Sequence, residues 1–280
     1  MKFQCGNREL DFSVPNVMGI LNVTPDSFSD GGRFSSIDVA LQHAQQMIAD
    51  GATVIDIGGE STRPGADPVT EAEELARVIP AVEAIAQRFD VVISVDTSTP
   101  AVISESAAAG AHLVNDVRSL CRDGALAAAA QTGLPVCLMH WDGDPQAVKN
   151  APEYQQPIEE LVKQFLQQRV SVCEDAGIGR DKILLDPGFG FGKNHQHNYR
   201  LLNRLESLHE LGLPLLTGLS RKRMIGEASG VDAADERVIG SVTGAVICAM
   251  KGAKILRVHD VKETAQAIRV LSATLREGNE

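Results

Sequence analysis

Short apolar runs alternate with longer amphipathic stretches from one end of this chain to the other. Strands are read at VMGILNV (17–23), TVIDIGG (53–59), VVISVD (91–96), HLVNDV (112–117), PVCLMH (135–140), KILLDP (182–187), PLLTGL (214–219) and AKILRVH (253–259). Between them lie helical patterns such as IDVALQHAQQMIADG, TEAEELARVIPAVEAIAQRF, AVISESAAAG and ERVIGSVTGAVICAMKG. Several close on a glycine (Gly51, Gly110, Gly252), the usual residue just past a helix end. The strand runs are almost continuously apolar, as in strands covered on both faces of a parallel sheet. Eight βα units predict a closed (β/α)8 TIM barrel, a single domain over 1–280 with its core at about 15–275. An open doubly wound sheet is the alternative.

Polar residues gather where the strands end. Asn22, Glu60, Asp96, Asn115, Asp116, His140, Asp186, Ser220, Arg221, Lys222, Arg257 and His259 all fall there, while strand starts carry few such groups. Barrel sites lie on the C-terminal face of the sheet, so this asymmetry is the main functional signal. Asp96, Asn115 and Asp186 supply acceptors, and a carboxylate can take two adjacent N–H donors of a planar ring side by side. Arg63, Lys222, Arg257 and His259 form the cationic side, with Arg257 and His259 on one face of one strand. NVTPDSFSDGG (22–32) and GGESTRPGADP (58–68) are long for βα loops and are candidate lids. WDGDPQAVKNAPEYQQP (141–157) reads as the loop after strand five.

Composition narrows the partners. The 280 residues are 44% hydrophobic and 22% charged, with a formal net charge of −11. An acidic chain repels phosphate backbones at long range, which argues against nucleic acid. Five cysteines, none in a C-x-x-C pair, suggest reduced thiols in a cytosol. The N-terminus lacks the apolar core of a signal peptide, and no run is long and apolar enough for a membrane span.

LLDPGFGFGKN (184–194) suggests a phosphate cradle but fails on spacing. A Walker loop needs G-x-x-x-x-G-K-[ST]. Counting back from Gly192, the first glycine falls on Pro187, and Asn194 follows the lysine. Asp186 is read as the functional residue of the stretch, and Lys193 as a solvated residue before a helix.

Taken together, MGILNVTPDSFSDGG (18–32), DIGGESTRPGA (56–66), SVDTS (94–98), NDVRSL (115–120), LMH (138–140), DPGFGFGKN (186–194), GLSRK (218–222) and RVHDV (257–261) resemble the dihydropteroate synthase family of pterin-binding barrels over nearly the whole chain. The resemblance implies a C–N bond-forming transferase of folate biosynthesis. It would join 6-hydroxymethyl-7,8-dihydropterin pyrophosphate to p-aminobenzoate, releasing pyrophosphate, by a Mg²⁺-assisted dissociative displacement. It implies that Asp96, Asn115, Asp186 and Lys222 hold the pterin, with Thr62, Val117 and Met139 beside it. It places Arg257 against the ring, His259 at the pyrophosphate and Asn22 at Mg²⁺. Arg63, Pro64, Phe191 and Ser220 would border the p-aminobenzoate site. Phe28 and Asp30 would belong to the mobile first loop, Phe28 on the p-aminobenzoate side and Asp30 in a catalytic role. A cytoplasmic homodimer and sulfonamide target are implied as well. Trp141 and Asp142 depart from the Met and Gln that relatives often carry after the histidine, and GSVTGAV differs from common versions.

Three rivals remain. A methyltetrahydrofolate:corrinoid methyltransferase shares the ring acceptors but not the two long loops. A non-catalytic homologue would have lost loop residues. A Schiff-base aldolase would use Lys222 but wants a desolvated lysine, whereas Arg221 and Arg223 suggest a polar, anion-binding setting.

Overall fold

A computed structural model describes residues 2–24, 33–60, 69–141 and 155–277. Thr62, Arg63, Pro64, Phe28, Asp30 and Asp142 therefore lie outside the described residues. The chain opens with an antiparallel hairpin, β1 (Lys2–Cys5) and β2 (Arg8–Asp11). Strand and helix then alternate: β3 (Asn16–Asn22), α1 (Arg33–Asp50), β4 (Val54–Gly58), α2 (Glu71–Arg88), β5 (Val92–Asp96) and α3 (Pro100–Ala109). Next come β6 (Leu113–Asp116), α4 (Ala125–Thr132), β7 (Val136–Met139), α5 (Ile158–Asp175), β8 (Ile183–Asp186) and α6 (His195–Asn203). The chain finishes with β9 (Leu216–Thr217), α7 (Arg223–Ser229), α8 (Val238–Met250), β10 (Ile255–Val258) and α9 (Val261–Glu277).

The eight strands from β3 onward form one parallel sheet, ordered β8-β7-β6-β5-β4-β3-β10-β9. Its two ends meet through a bridge between Leu185 and Leu215, with the Leu185 N–H donating to the Pro214 carbonyl at 3.0 Å. The sheet is the predicted barrel rather than an open doubly wound sheet. The strand read over 214–219 is much shorter than its sequence suggests. Pro214 has no N–H to donate, and the Leu215 carbonyl accepts from both Lys254 and Ile255.

Strand period explains why the runs read as continuously apolar. Outward residues such as Ile55, Ile57, Ile93, Val95, Leu138 and Leu185 pack against the helices in the main core. The alternate residues point into the barrel. At the N-terminal end these are Met18, Val54, Val92, Leu113, Cys137, Leu184, Leu216 and Ile255, sealed by Phe3, Cys5, Leu10 and Phe12 of the hairpin. Phe3 and Phe12 stack at 5.1 Å between ring centroids. Two residues further along the inward rows stand Ile20, Asp56, Ser94, Asn115, Met139, Asp186, Gly218 and Arg257. The barrel interior thus turns from apolar to charged within one step.

The helix ends follow local chemistry. Thr70 caps α2 by accepting the Glu73 N–H at 3.3 Å, and Glu73 returns to the Thr70 N–H at 2.9 Å. Gly51, Gly110 and Gly252 all take the positive φ expected of helix-terminating glycines.

Candidate active site

The charged row opens into a pocket at the C-terminal mouth. Asp96, Asn115, Val117, Met139 and Asp186 line it from the ends of β5 to β8. Phe191, Ser220, Lys222, Arg257 and His259 line it from the segments after β8 and β9 and from β10 and its end, with Ile20 and Gly218 completing the wall. Ten of the residues singled out from sequence are therefore brought together. Asn22 stands at the rim, on a rung it shares with Gly58 and Asp96.

One ionic network organises the floor. Arg257 Nε donates to Asp56 Oδ2 at 2.6 Å, and its Nη2 donates to Asp96 Oδ2 at 2.7 Å. Asp56 also accepts from Ser94 Oγ at 2.6 Å and from Asn115 Nδ2 at 3.2 Å. Asp56 was absent from the residues singled out above. Its signal was an acid in the middle of an apolar strand, in register with Ser94 rather than at a strand end. Fully buried, it aims the guanidinium that crosses the pocket.

Burial and neighbours set the protonation of the mouth. Burial pushes the Asp96 carboxyl up to about 7, against the pull of Arg257 and with a further push from Asp56. Burial likewise raises Asp186, opposed by Lys222 and by the Gly188 N–H, which donates to it at 2.7 Å. Burial lowers Lys222 to about 8, opposed by Asp186. Burial works against the charge on Arg257, but Asp56 and Asp96 hold its pKa above the ordinary value.

Lys222 contacts set its chemistry. Its Nζ donates to the Phe189 carbonyl and lies 4.4 Å from the centroid of the Phe191 ring. This corrects one expectation. Arg221 does not make the setting polar, because it turns outward with φ +60 and pairs with Asp260, Nε to Oδ2 at 3.1 Å. Arg223 is exposed and pairs with Glu227. Lys222 is therefore desolvated, so desolvation does not argue against an aldolase. Lys222 sits between Asp186 and an aromatic face, in a mouth it shares with Arg257 and His259.

Activity that needs a charged Lys222 should decline as pH rises through about 8, measurable as a pH–rate profile. The stability sign is opposite. Between about 8 and 10.5 the unfolded chain holds this proton and the fold has lost it, so this group's contribution to stability improves as pH rises there.

Other strand-end groups serve the scaffold. Asp116 faces away from the pocket and is fully buried, accepting from the backbone of Arg118 at 2.8 Å and of Leu120 at 2.7 Å, and from Ser98 Oγ. Arg118 grips Glu60 with both Nη atoms, at 3.2 and 3.3 Å. This pair fixes the stem from which the 61–68 segment departs. Ser220 Oγ accepts the His259 N–H at 3.1 Å and meets His259 Nδ1 at 3.0 Å, which locks the imidazole over the last strand.

Lys193 contradicts its sequence reading. It is 7% exposed, and its Nζ donates to the Gly188 carbonyl at 2.8 Å and the Phe191 carbonyl at 3.0 Å. It also meets His140 Nδ1 at 2.9 Å. The glycine turn folds back over the lysine instead of releasing it to solvent.

A divalent cation suits Asn22 only in a particular way. Among the described residues no cluster of three or more His, Cys, Asp or Glu stands ready for a metal. A Cβ on Gly58 would lie 3.9 Å from Asn22 Oδ1 and 3.8 Å from Asp96 Oδ2, so its absence keeps that corner open. One neutral oxygen donor fits Mg²⁺, which keeps waters and takes its other ligands from substrate phosphates.

Fold and mouth define a barrel of the small-molecule enzyme type, its C-terminal pocket setting buried hydrogen-bond acceptors beside cationic side chains. Residues 18–259 match the family model described as pterin binding enzyme. The dihydropteroate synthase of Escherichia coli (strain K12) is 60% identical over 98% of this chain and 97% of its own. Yersinia pestis dihydropteroate synthase, solved with a sulfonamide drug complex, superposes with a TM-score of 0.93 at 59% identity, over 99% of this chain and 100% of that one. The Xanthomonas albilineans enzyme with 4-aminobenzoic acid gives 0.93 at 46% identity, over 98% of each chain. The chain belongs to the pterin-binding enzyme family and, within it, to the dihydropteroate synthases.

Proposed function

We propose that this mouth carries out the family's condensation by a dissociative displacement. The observation that carries the reading is the pocket that Asp96, Asn115 and Asp186 share with Lys222 and Arg257. The three acceptors suit the adjacent N–H and NH2 donors of a reduced pterin, and Val117 and Met139 suit its faces.

The substrate's CH2–O bond breaks, and its electron pair leaves with pyrophosphate. Arg257 and His259 stabilise the leaving charge. Positive charge develops on the pterin, where Asp96 and Asp186 stabilise it. The neutral arylamine nitrogen forms the new C–N bond, and its proton leaves to solvent or to the departing pyrophosphate. Asn22 would hold Mg²⁺ together with the diphosphate oxygens, and that ion would neutralise leaving-group charge. Phe191 and Ser220 border the arylamine, with Phe28, Arg63 and Pro64 as further partners. Thr62 would touch the pterin substrate, and Asp30 would act from the first loop. No covalent enzyme intermediate forms. Quenched turnover analysed by mass spectrometry should show unmodified protein, and a pterin–protein adduct would refute the mechanism.

A homodimer is the assembly we favour. Ile239, Met250 and Val270, on α8 and α9, are 83%, 66% and 69% exposed. Large exposed apolar groups on adjacent helices suit a partner surface. Ile239→Glu is expected to shift the mass in solution from dimer to monomer, read by light scattering. A cytoplasmic setting fits the five free thiols, and no helix among the described residues is long and apolar enough to cross a membrane.

A further inference from the structure

Lys193 is buried at the end of the glycine turn, immediately before exposed Asn194 and His195. An ammonium carries three N–H donors. Among the described residues the Lys193 ammonium meets the Gly188 carbonyl, the Phe191 carbonyl and His140 Nδ1 within 3.0 Å, and the His140 carbonyl at 3.5 Å. The turn is thereby folded around a cation. It tolerates no alternative at Gly188, where φ is +68 and a Cβ would stand 1.9 Å from the His140 carbonyl. Asn198 braces the outside, accepting the Gly190 N–H at 2.7 Å and donating to the Lys193 carbonyl at 3.1 Å.

This turn delivers the Phe191 ring to the pocket. The ring packs on Trp141 at 4.6 Å between centroids and lies under Lys222 Nζ at 4.4 Å. The neighbouring Phe189 carbonyl accepts from that same Lys222. A methionine would fill the same space but could make none of these hydrogen bonds to the Gly188 carbonyl, the Phe191 carbonyl and His140. Packing alone therefore does not account for a lysine.

We propose that Lys193 is a positioning residue for the arylamine half of the site, tying the Gly188 and Phe191 carbonyls to His140 and so setting where the Phe191 ring stands. The proposal rests on the reading of the mouth as a site for pterin diphosphate and p-aminobenzoate. Its consequence is selective. The pterin acceptors Asp96 and Asn115 belong to other strands, and Asp186 is fixed in β8 against Met139 of β7, so the turn reaches the pterin side only through the Gly188 N–H on Asp186 and the Phe189 carbonyl on Lys222.

The test is steady-state pyrophosphate release by wild type and Lys193→Met, with each substrate varied in turn. The KM for p-aminobenzoate should rise about tenfold or more, and that for the pterin diphosphate should stay within about threefold. Trp141 is the sole tryptophan, so its emission reports the Phe191 contact directly and should change in the variant. Equal rises in both KM values, or no rise in either, would overturn the proposal. Should Lys193→Met not be recovered folded, His140→Leu removes one of the three acceptors and must show the same p-aminobenzoate-selective rise, a parallel or absent change again refuting the proposal. A wild type without turnover would overturn the functional reading instead, leaving the Trp141 comparison to judge the positioning.

Discussion

Arg257→Met is expected to lower kcat by about 10³-fold, the scale for removing a preorganised donor that stabilises developing charge. The loss should exceed that of any other single change in the described mouth, because Arg257 does two jobs. It lines the proposed pterin site, and it is the partner of both Asp56 and Asp96. Without it, two carboxylates are left close together in a buried place, and stability should drop by about 3 kcal/mol or more. Pyrophosphate release and thermal unfolding read the two effects separately. Arg257→Lys should recover part of the stability and little of the rate. An ammonium cannot span both carboxylates, which the fork does at 2.6 and 2.7 Å. A variant with near-normal kcat would mean that the floor network is scaffold only.

Asp186→Asn is the second large effect. A carboxylate accepts two donors side by side, but an amide offers one acceptor and turns a donor toward the other. The pterin diphosphate should bind about a hundredfold more weakly, from one lost charge-assisted bond and one unpaired donor. The variant should also move a titration. Asp186 is the main group supporting the charge on Lys222 against burial. Without it the alkaline limb of the pH–rate profile should shift below its wild-type position near 8. An unchanged alkaline limb would detach that limb from Lys222.

Both predictions rest on residues of different legibility. Asp186 was readable because it ends a strand, where a barrel places its chemistry. Asp56 was not, because it lies inside a strand and works through Arg257 rather than at the rim. Lys193 was misread for a related reason. Sequence spacing placed it just before a helix, where lysines are commonly solvated, and nothing local shows a turn folding back over its ammonium. Arg221 was credited with the polarity of a site it turns away from, since one left-handed residue reverses a side chain without leaving a sequence mark. The barrel itself was legible because eight strands buried on both faces leave long apolar runs. The N-terminal hairpin escaped notice because its two strands are only four residues each, and its apolar residues matter only once a barrel end needs sealing. Phe28, Asp30, Thr62, Arg63 and Pro64 lie outside the described residues, and their expected roles belong to the proposed function.

The most direct test is pyrophosphate release with Mg²⁺ and purified protein. The account predicts release that requires 6-hydroxymethyl-7,8-dihydropterin pyrophosphate and p-aminobenzoate together, with 7,8-dihydropteroate formed in equal amount. No release with both substrates present, or release without dihydropteroate, would contradict it.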